Sequence, residues 1–226
     1  MTPPVKKSVK NPDGRSARWS GHRETRRGEL VEAAVAAIDA HGPTATIGDI
    51  AAAAGVSKPV LYRYFADKAD LHAAVGTWGA QLVLGRLLPA LVADGPLEER
   101  VRRGSDAYLT TIAEHPNVFL LLVRHRVSGD ADPLADGKAA IAAAIARVLG
   151  DTLRGLGLDA GGAEPWAHGV VGLGLATGEW WLSRQTMSQE AVCAYLGDFV
   201  WHAFEGIARA RGVVIDGARL RLAEAP

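Results

Sequence analysis

Apolar residues occur in two adjacent rows at helical spacing within residues 23–41. The rows consist of Leu30, Ala34 and Ile38 and of Val31 and Val35. Positions four apart share one face of a helix, so these rows give the segment a side that can be buried. Gly42 and Pro43 follow directly and favour a helix end. The pattern predicts a first helix over 23–41.

A second, shorter pattern follows in "TIGDIAAAAGVSKPVLYRYF". Thr46 followed three residues later by Asp49 is typical of a helix start in which each residue caps the other. Gly55 can take the positive φ that ends this helix, and Ser57 can cap the next one through its hydroxyl. We therefore expect a short helix, a tight turn and a second short helix over about 58–65.

The second short helix has two different faces. Leu61 and Phe65 stand four apart and share a side, whereas Lys58, Pro59 and Tyr62 share another. A short helix, a tight turn and a second helix with an outward polar face are typical of a helix-turn-helix, whose second helix enters the DNA major groove. Cations and hydroxyls suit phosphate oxygens, and rings suit sugars or thymine methyl groups.

Helical pattern continues through the rest of the chain. Asp67 is expected to cap a long helix that runs to about Val92, and turn-forming segments separate the later helices, predicted at 97–114, 116–127, 134–156, 163–184 and 188–211. The fold class is all-α, with an N-terminal three-helix helix-turn-helix domain followed by a larger helical bundle. The predicted divisions are a flexible basic arm 1–21, a helix-turn-helix DNA-binding domain 22–66, a larger helical domain 67–212 and a C-terminal tail 213–226.

Composition narrows the class of protein. The chain has 226 residues, 48% of them hydrophobic, which suffices for a core, and a single cysteine excludes an internal disulfide. No signal-like start and no apolar run of about 20 residues is evident, so we expect a cytoplasmic protein without a membrane partner.

The formal net charge is zero, yet its distribution is uneven. The first 27 residues hold eight basic side chains, against the acidic Asp13 and Glu24: Lys6, Lys7, Lys10, Arg15, Arg18, Arg23, Arg26 and Arg27. This segment is either a cationic arm that binds phosphates or a narrow minor groove, or a solubilising tail. A neutral protein with an acidic body is not expected to compact DNA.

Residues 26–75 resemble the DNA-binding domain of the TetR/AcrR family of transcriptional regulators, above all in "GVSKPVLYRYFADKADL". The resemblance implies that Lys58 and Pro59 face bases and that Tyr62 faces a base or the backbone. The full set of implied DNA-binding residues is Thr46, Ser57, Lys58, Pro59, Tyr62, Arg63, Tyr64 and Lys68. The sequence departs from the family at Gly48, where a polar side chain is common, so the backbone alone is available there.

The resemblance also implies that 67–212 is a ligand-binding and dimerisation domain, with a cavity for a small hydrophobic or amphipathic effector. Acyl-CoA-like lipids are the first expectation and cationic drugs the second. The candidate lining residues are Trp78, Leu82, Tyr108, Ile112, Phe119, Val123, Ile141, Ile145, Leu173, Thr177 and Trp181. Arg124, His125 and Arg126 are either an anion site or a solvated helix end whose cations suit the dipole.

In this family the last two large helices pair with those of a second subunit, which implies a homodimer on a palindromic operator. Four glycines, Gly169, Gly172, Gly174 and Gly178, would let the first of these helices approach a neighbour closely. The second has a broad apolar face of Val192, Tyr195, Phe199, Ala203 and Phe204. Both patterns also suit an ordinary buried core.

An enzyme or metal-binding protein is the rival class. The seven histidines show no metal-ligand spacing, and no phosphate loop or nucleophile elbow is present. Cys193 lies in an apolar row and is predicted to be a small buried residue. A site of His168, His202 and Glu179 is conceivable on adjacent helices. We expect no cofactor, no catalytic residue and a ligand-released repressor, with an acyl-CoA-responsive activator of the same fold as the alternative.

Overall fold

A computed structural model of the protein describes residues 13–124, 132–155, 157–216 and 219–222, with side chains described over 21–124, 132–155 and 157–213. These residues form nine α-helices and one antiparallel hairpin. The helices are α1 (Asp13–His41), α2 (Ile47–Ala53), α3 (Lys58–Leu61), α4 (Lys68–Val92), α5 (Leu97–Glu114), α6 (Pro116–Arg124), α7 (Ala135–Gly155), α8 (Ala163–Arg184) and α9 (Gln189–Ala210). The strands are β1 (Val213–Asp216) and β2 (Arg219–Leu222).

The all-α prediction is confirmed, with most helix bounds within one residue of the expected ones. The predicted end of α6 at 127 lies outside the described residues, and two other bounds were wrong. α1 begins at Asp13 rather than 23, so helix occupies part of the segment predicted as a flexible arm, and the α-helical part of the predicted 58–65 helix ends at Leu61. The predicted C-terminal tail contains the hairpin, in which Val213 pairs with Leu222.

The N-terminal core extends beyond the small helix-turn-helix. Its most deeply buried side chains come from the first three helices, the turn after α3 and the start of α4: Leu30, Ile38, Ile50, Leu61, Phe65, Leu71 and Val75. Val118, Leu121 and Leu122 of α6 belong to the same cluster. The apolar core is therefore continuous across the predicted domain boundary after residue 66, and α4 and α6 join the two halves mechanically.

The remaining helices form a bundle around a central space. α7 runs parallel to α4. A Cβ placed on Gly137 would lie 2.8 Å from Ala80 Cβ, and further along both helices Ala142 and Ile145 of α7 cluster with Val83 and Leu87 of α4. α9 runs antiparallel to α5, since Gln189 Nε2 donates to Thr110 Oγ1 over 2.8 Å and Cys193 Sγ lies 3.9 Å from the Arg102 carbonyl oxygen. Short connections make α5 antiparallel to α4 and α8 antiparallel to α7.

The expectation that no apolar run approaches membrane-spanning length was wrong for α4. By length and composition alone, this helix is apolar enough to cross a bilayer. Its apolar residues also have a use within the described bundle: Val83 and Leu87 are buried against α7 and α8 residues such as Ala142 and Ala167.

Candidate DNA interface and ligand cavity

The start of α2 is fixed by the predicted reciprocal cap. Thr46 Oγ1 accepts a hydrogen bond from the Asp49 backbone N–H over 3.3 Å, and the Thr46 backbone N–H donates to Asp49 Oδ2 over 2.8 Å. The Thr46 hydroxyl also donates to Asp49 Oδ2 over 2.7 Å, and this bond together with that from the Thr46 backbone N–H lowers the pKa of the Asp49 carboxyl. Gly55 takes a φ of +63° in the turn that follows, as the sequence predicted. The direction of α3 is thus set by local chemistry.

Ser57 occupies the N-cap position of α3, but its side chain makes no capping hydrogen bond, so the predicted role of its hydroxyl was wrong. Pro59 lies in the first turn as predicted. Beyond Leu61 the chain continues in a hydrogen-bonded turn, in which the Phe65 N–H donates to the Leu61 carbonyl over 3.2 Å. This turn keeps Phe65 on the buried side although the α-helix has ended.

The two faces of this element differ as the sequence predicted. Leu61 and Phe65 are each 1% exposed, whereas Tyr62 is 45% exposed. The predicted DNA-binding residues that lie on the surface are Thr46, Ser57, Lys58, Pro59, Tyr62, Arg63 and Lys68. Tyr64 differs from them because it is half-buried and packs against the N-terminal core. The structure therefore presents one continuous polar and aromatic surface around α3.

Two arginines of α1 support this surface from behind. Arg27 lies over the Phe65 ring, 4.6 Å from its centroid, and pairs with Asp70 Oδ1 over 2.6 Å. Asp70 Oδ2 also accepts from the Ala66 N–H over 2.9 Å. Arg23 Nη2 donates to the Arg63 carbonyl over 3.2 Å. Both arginines therefore fix the end of residues 58–65, which comprise α3 and the turn after it and are called the reading element below.

The cationic-arm prediction therefore needs correction for the three arginines nearest the fold. Arg23 and Arg27 make the contacts just described, and Arg26 pairs with Glu29 over 2.5 Å. Charge counting could not distinguish an arginine that binds phosphate from one that braces its own domain. The remaining basic residues of the predicted arm lie in 1–20, outside the residues whose side chains are described.

Gly48 has a steric relation to Lys58 that the sequence did not reveal. A Cβ placed on Gly48 would lie 3.3 Å from Lys58 Cε and 3.6 Å from Lys58 Nζ. The lysine side chain therefore lies back across α2, where the missing Cβ leaves room for it. Gly48 provides space for Lys58 as well as an exposed backbone.

The helical bundle encloses one long apolar cavity of about 300 Å³. Seven of the eleven predicted lining residues do line this cavity: Trp78, Leu82, Tyr108, Ile112, Phe119, Ile141 and Ile145. Val123, Leu173, Thr177 and Trp181 do not. Trp181 is instead buried against α9, where its Nε1 donates to the Met187 carbonyl over 3.0 Å. A helical period identifies the buried side of a helix but cannot tell its cavity wall from its solid core.

The cavity extends along the bundle between two recognisable ends. At the proximal end, beside the helix-turn-helix, its wall includes Trp78 of α4, Phe119 of α6 and His115. At the distal end the wall includes Arg100 near the start of α5 and Trp166 near the start of α8. Along α4, the lining from Trp78 to Leu91 spans roughly 20 Å at about 1.5 Å per residue.

The proximal wall is bonded to the DNA-binding half. His115 Nδ1 lies 2.6 Å from Asp39 Oδ2 of α1, and the Trp78 ring meets the His115 ring edge-on with centroids 5.0 Å apart. Asn117 Nδ2 donates to the Asp39 carbonyl over 3.0 Å. Asp39 Oδ1 is buried without a hydrogen-bond partner. This polar junction was not anticipated, because its members are widely separated in sequence and none belongs to a motif.

Tyr108 closes part of the inner wall of the cavity. Its hydroxyl donates to the Gly174 carbonyl over 2.8 Å, and burial raises the pKa of the phenol far above its ordinary value. A Cβ on Gly178 would lie 2.7 Å from Ile112 Cδ1 and 2.8 Å from the Tyr108 hydroxyl. Gly174 and Gly178 therefore face the inside of the subunit, which is the buried-core alternative that the sequence left open for them.

The outer face of the last two large helices exposes large apolar side chains and small residues beside polar ones such as Asp198 and His202. Gly169 and Gly172 have open space where a Cβ would stand, and Tyr195 and Phe199 are 67% and 66% exposed. Val192 and Phe204, which were predicted to share that face, instead pack against the core that α9 forms with α5. The predicted apolar patterns thus divide between an inner and an outer face.

The rival metal and enzyme readings gain no support from the described side chains. Among them no group of three or more His, Cys, Asp or Glu residues could hold a metal, and His202 lies 3.2 Å from Glu205 instead. Cys193 is buried as predicted, and burial raises the pKa of its thiol. Arg124 donates to Ser183 Oγ over 3.2 Å, while the candidates His125 and Arg126 lie outside the described residues.

The chain is similar to known regulators over nearly its whole length. Residues 30–75 match the family described as bacterial regulatory proteins, tetR family, and residues 86–213 match the tetracyclin repressor-like C-terminal domain. Rv0472c of Mycobacterium tuberculosis, an uncharacterized HTH-type transcriptional regulator, is 38% identical over 202 residues, which are 88% of this chain and 86% of that protein.

Solved structures share the fold at lower identity. A tetR-family transcriptional regulator from Streptomyces coelicolor has a TM-score of 0.66 and 23% identity, with 83% of each chain covered. The transcriptional regulator FadR from Bacillus subtilis, solved in complex with stearoyl-CoA, has a TM-score of 0.60 and 16% identity over 76% of this chain and 96% of that chain. Both show the same succession of a small helix-turn-helix domain and a helical bundle.

Proposed function

Because this chain belongs to the TetR family of bacterial regulatory proteins and is a DNA-binding transcriptional regulator, we propose that it acts in the cytoplasm as a ligand-released repressor. As a homodimer it binds a palindromic operator, with one α3 element in each of two major grooves about one helical turn apart. The observation that carries the proposal is the exposed surface of α3, held on a buried core and backed by Arg23 and Arg27.

Each exposed side chain on this surface has a role that suits its chemistry. Lys58 and Pro59, in the first turn of α3, face base edges, and Tyr62 faces a base or the sugar-phosphate backbone. Thr46 and Lys68 lie at the starts of α2 and α4, where helix dipoles favour a phosphate. Ser57, Arg63 and the hydroxyl of Tyr64 complete the contacts to phosphate.

The outer face of α8 and α9 forms the dimer interface in this proposal. Two large aromatic side chains, Tyr195 and Phe199, are two-thirds exposed on consecutive turns of α9, and monomeric proteins seldom leave such patches uncovered. The open positions at Gly169 and Gly172 let a second copy approach α8 closely. A two-fold dimer then presents two reading elements to a two-fold operator.

The effector is a molecule with a long apolar part. The cavity wall is almost entirely aliphatic and aromatic, and its length of roughly 20 Å along α4 suits an extended chain better than a compact drug. FadR from Bacillus subtilis was solved with stearoyl-CoA, so a protein of this fold binds a ligand with a long acyl chain. An acyl lipid is therefore the class of effector that the cavity fits best.

The junction of Trp78, His115 and Asp39 provides a route from cavity to DNA. A ligand that displaces Trp78 or His115 from the proximal wall must disturb the 2.6 Å contact between His115 and Asp39 of α1. Since α1 carries Arg23 and Arg27, a shift of α1 also moves the support of α3. A ligand that binds the shifted state more tightly than the original state therefore favours release of the operator. The size of the effect is set by the difference between the ligand's affinities for the two states.

Selection from a random double-stranded DNA library tests the DNA-binding part of the proposal. We expect the full chain to enrich a palindrome whose half-sites are about one helical turn apart, and Tyr62→Ala to enrich none. If the wild-type protein enriches no palindrome from the library, the dimer model is contradicted. A reporter driven by the enriched site then gives the sign: induction on deletion of the gene indicates a repressor, and loss of expression indicates an activator.

A further inference from the structure

Three of the side chains that line the cavity are cationic or can become so: Arg100, His115 and Lys138. Two of them are matched by carboxylates. Lys138 forms an ion pair with Asp132, and His115 lies against Asp39. Arg100 differs, because no acidic partner reaches it among the residues whose side chains are described, and its Nε donates to the Leu91 carbonyl over 2.6 Å.

The bond to Leu91 leaves the outer edge of the guanidinium available. Nε is held by the last turn of α4, which fixes the plane of the guanidinium, while the two terminal nitrogens carry the donors that pair with carboxylate or phosphate oxygens. A half-buried guanidinium at one end of an otherwise apolar cavity retains its charge without a counter-ion. An anionic ligand head group would supply that counter-ion.

Arg100 and His115 lie at opposite ends of the same cavity wall. Both belong to the α5 segment, and fifteen residue steps of about 1.5 Å place them roughly 22 Å apart along the helix axis. Between them the wall is formed by apolar or hydrogen-bonded groups such as Val101, Tyr108 and Ile112. A ligand bound by its head at one end must reach the other end with an apolar tail.

We infer that the effector is an anionic long-chain lipid whose head group pairs with Arg100 and whose tail end reaches Trp78 and His115. This inference rests on the proposed function and specifies the ligand of the same cavity. It has a consequence for regulation: a short chain anchored at Arg100 fills only the distal part and leaves the His115–Asp39 contact intact. Binding and release of DNA therefore differ in their dependence on chain length.

Binding is tested by displacement of the neutral dye Nile red from the full-length protein. The competitors are hexadecanoate, hexadecanoyl-CoA, hexadecan-1-ol and octanoate. Arg100→Gln is expected to weaken hexadecanoate binding by about ten- to a hundred-fold, because a hydrogen-bonded charge partner is lost, and to leave hexadecan-1-ol unchanged. Arg100→Lys retains part of the affinity. Arg102→Gln is the matched control, since Arg102 is on the same helix, exposed and outside the cavity wall.

The two anionic ligands separate the possible sources of the charge. If only hexadecanoate binds, the head group that Arg100 recognises is a free carboxylate. If only hexadecanoyl-CoA binds, it is the phosphates of the carrier. Either result supports the inference. Equal weakening of the acid and the alcohol by Arg100→Gln would show a merely structural arginine and overturn it. Failure of both anionic ligands to displace the dye from the wild-type protein would overturn it as well.

Operator release tests the chain-length consequence. At concentrations that saturate the cavity, hexadecanoate should dissociate the operator complex and octanoate should not. Equal release by the two acids would overturn the proposed dependence of DNA release on chain length. Without ligand, Arg100→Gln is expected to bind the operator as the wild type does. A wild-type protein that selects no DNA would contradict the proposed function. Normal DNA binding with no difference between the acid and the alcohol in their response to Arg100→Gln would contradict this inference only.

Discussion

The DNA-reading end and the cavity of this protein are built in opposite ways. At the reading end the interior is solid, with Phe65 and Leu61 each 1% exposed, and the chemistry lies on the outside. In the bundle large apolar side chains such as Tyr195 and Phe199 are exposed on the outside, and the cavity lies within. The comparison teaches that a buried residue has a structural role in the first region, whereas in the second it can equally well touch a ligand.

The two regions also differ in how firmly each is held. α2 and α3 are fixed by a reciprocal cap, a positive-φ glycine and the contact of Arg27 with the Phe65 ring, 4.6 Å from its centroid. The cavity leaves the facing side chains of α4, α5 and α7 without full packing. A cavity wall can therefore rearrange around a ligand at lower cost than the reading element can, which places the moving part in the bundle.

The largest expected effect removes the solid core under the reading element. Phe65→Ala leaves a cavity beneath α3 and removes the ring under Arg27, so we expect a loss of about 3–5 kcal/mol in the free energy of unfolding. Thermal and urea unfolding measure it. Operator binding should disappear together with the fold. An unfolding midpoint like that of the wild type would contradict the rigid description of this region.

A methyl group added inside the bundle tests the other region. Gly178→Ala would place a Cβ 2.7 Å from Ile112 and 2.8 Å from the Tyr108 hydroxyl, and we expect about 1–3 kcal/mol of destabilisation and weaker binding of long-chain ligands. Gly85→Ala on α4 is the matched control, because Gly85 is exposed with open space around it and gains helix propensity of up to about 1 kcal/mol. Equal stability of the two variants would contradict close packing at Gly178.

These two regions explain which parts of the structure could be predicted from the sequence. The cap at Thr46 and Asp49, the turn at Gly55 and the faces of α3 depend on residues within four positions of one another, so the pattern sufficed. Trp181 and Val123 were misplaced because the cavity wall depends on which helices meet across the bundle. The junction of His115 with Asp39 joins residues far apart in sequence, and nothing in either segment indicated it.

The surface of the reading element should separate binding from stability. Tyr62→Ala and Lys58→Ala are each expected to change the free energy of unfolding by no more than about 0.5 kcal/mol, because both side chains are exposed, yet to cost about 1–3 kcal/mol of operator affinity per subunit. Fluorescence anisotropy at fixed salt measures the affinity. Tyr62→Ala that binds the operator at wild-type concentration would show that this face does not meet DNA.

The smallest expected effect concerns Gly48, where the two kinds of role meet in one residue. Gly48→Ala should change stability little, because alanine favours the helix while its Cβ would stand 3.3 Å from the capping Thr46 Oγ1. The same Cβ would stand 3.3 Å from Lys58 Cε and turn the lysine away from α2. We expect a loss of operator affinity smaller than the roughly 1–3 kcal/mol assigned to a complete base contact. A double-mutant cycle isolates the cause, since the loss should vanish when Lys58→Ala is already present. The same loss in both backgrounds would mean that the added Cβ acts through the Thr46 hydroxyl or the Gly48 backbone, and that the direction of Lys58 is set by α3 alone.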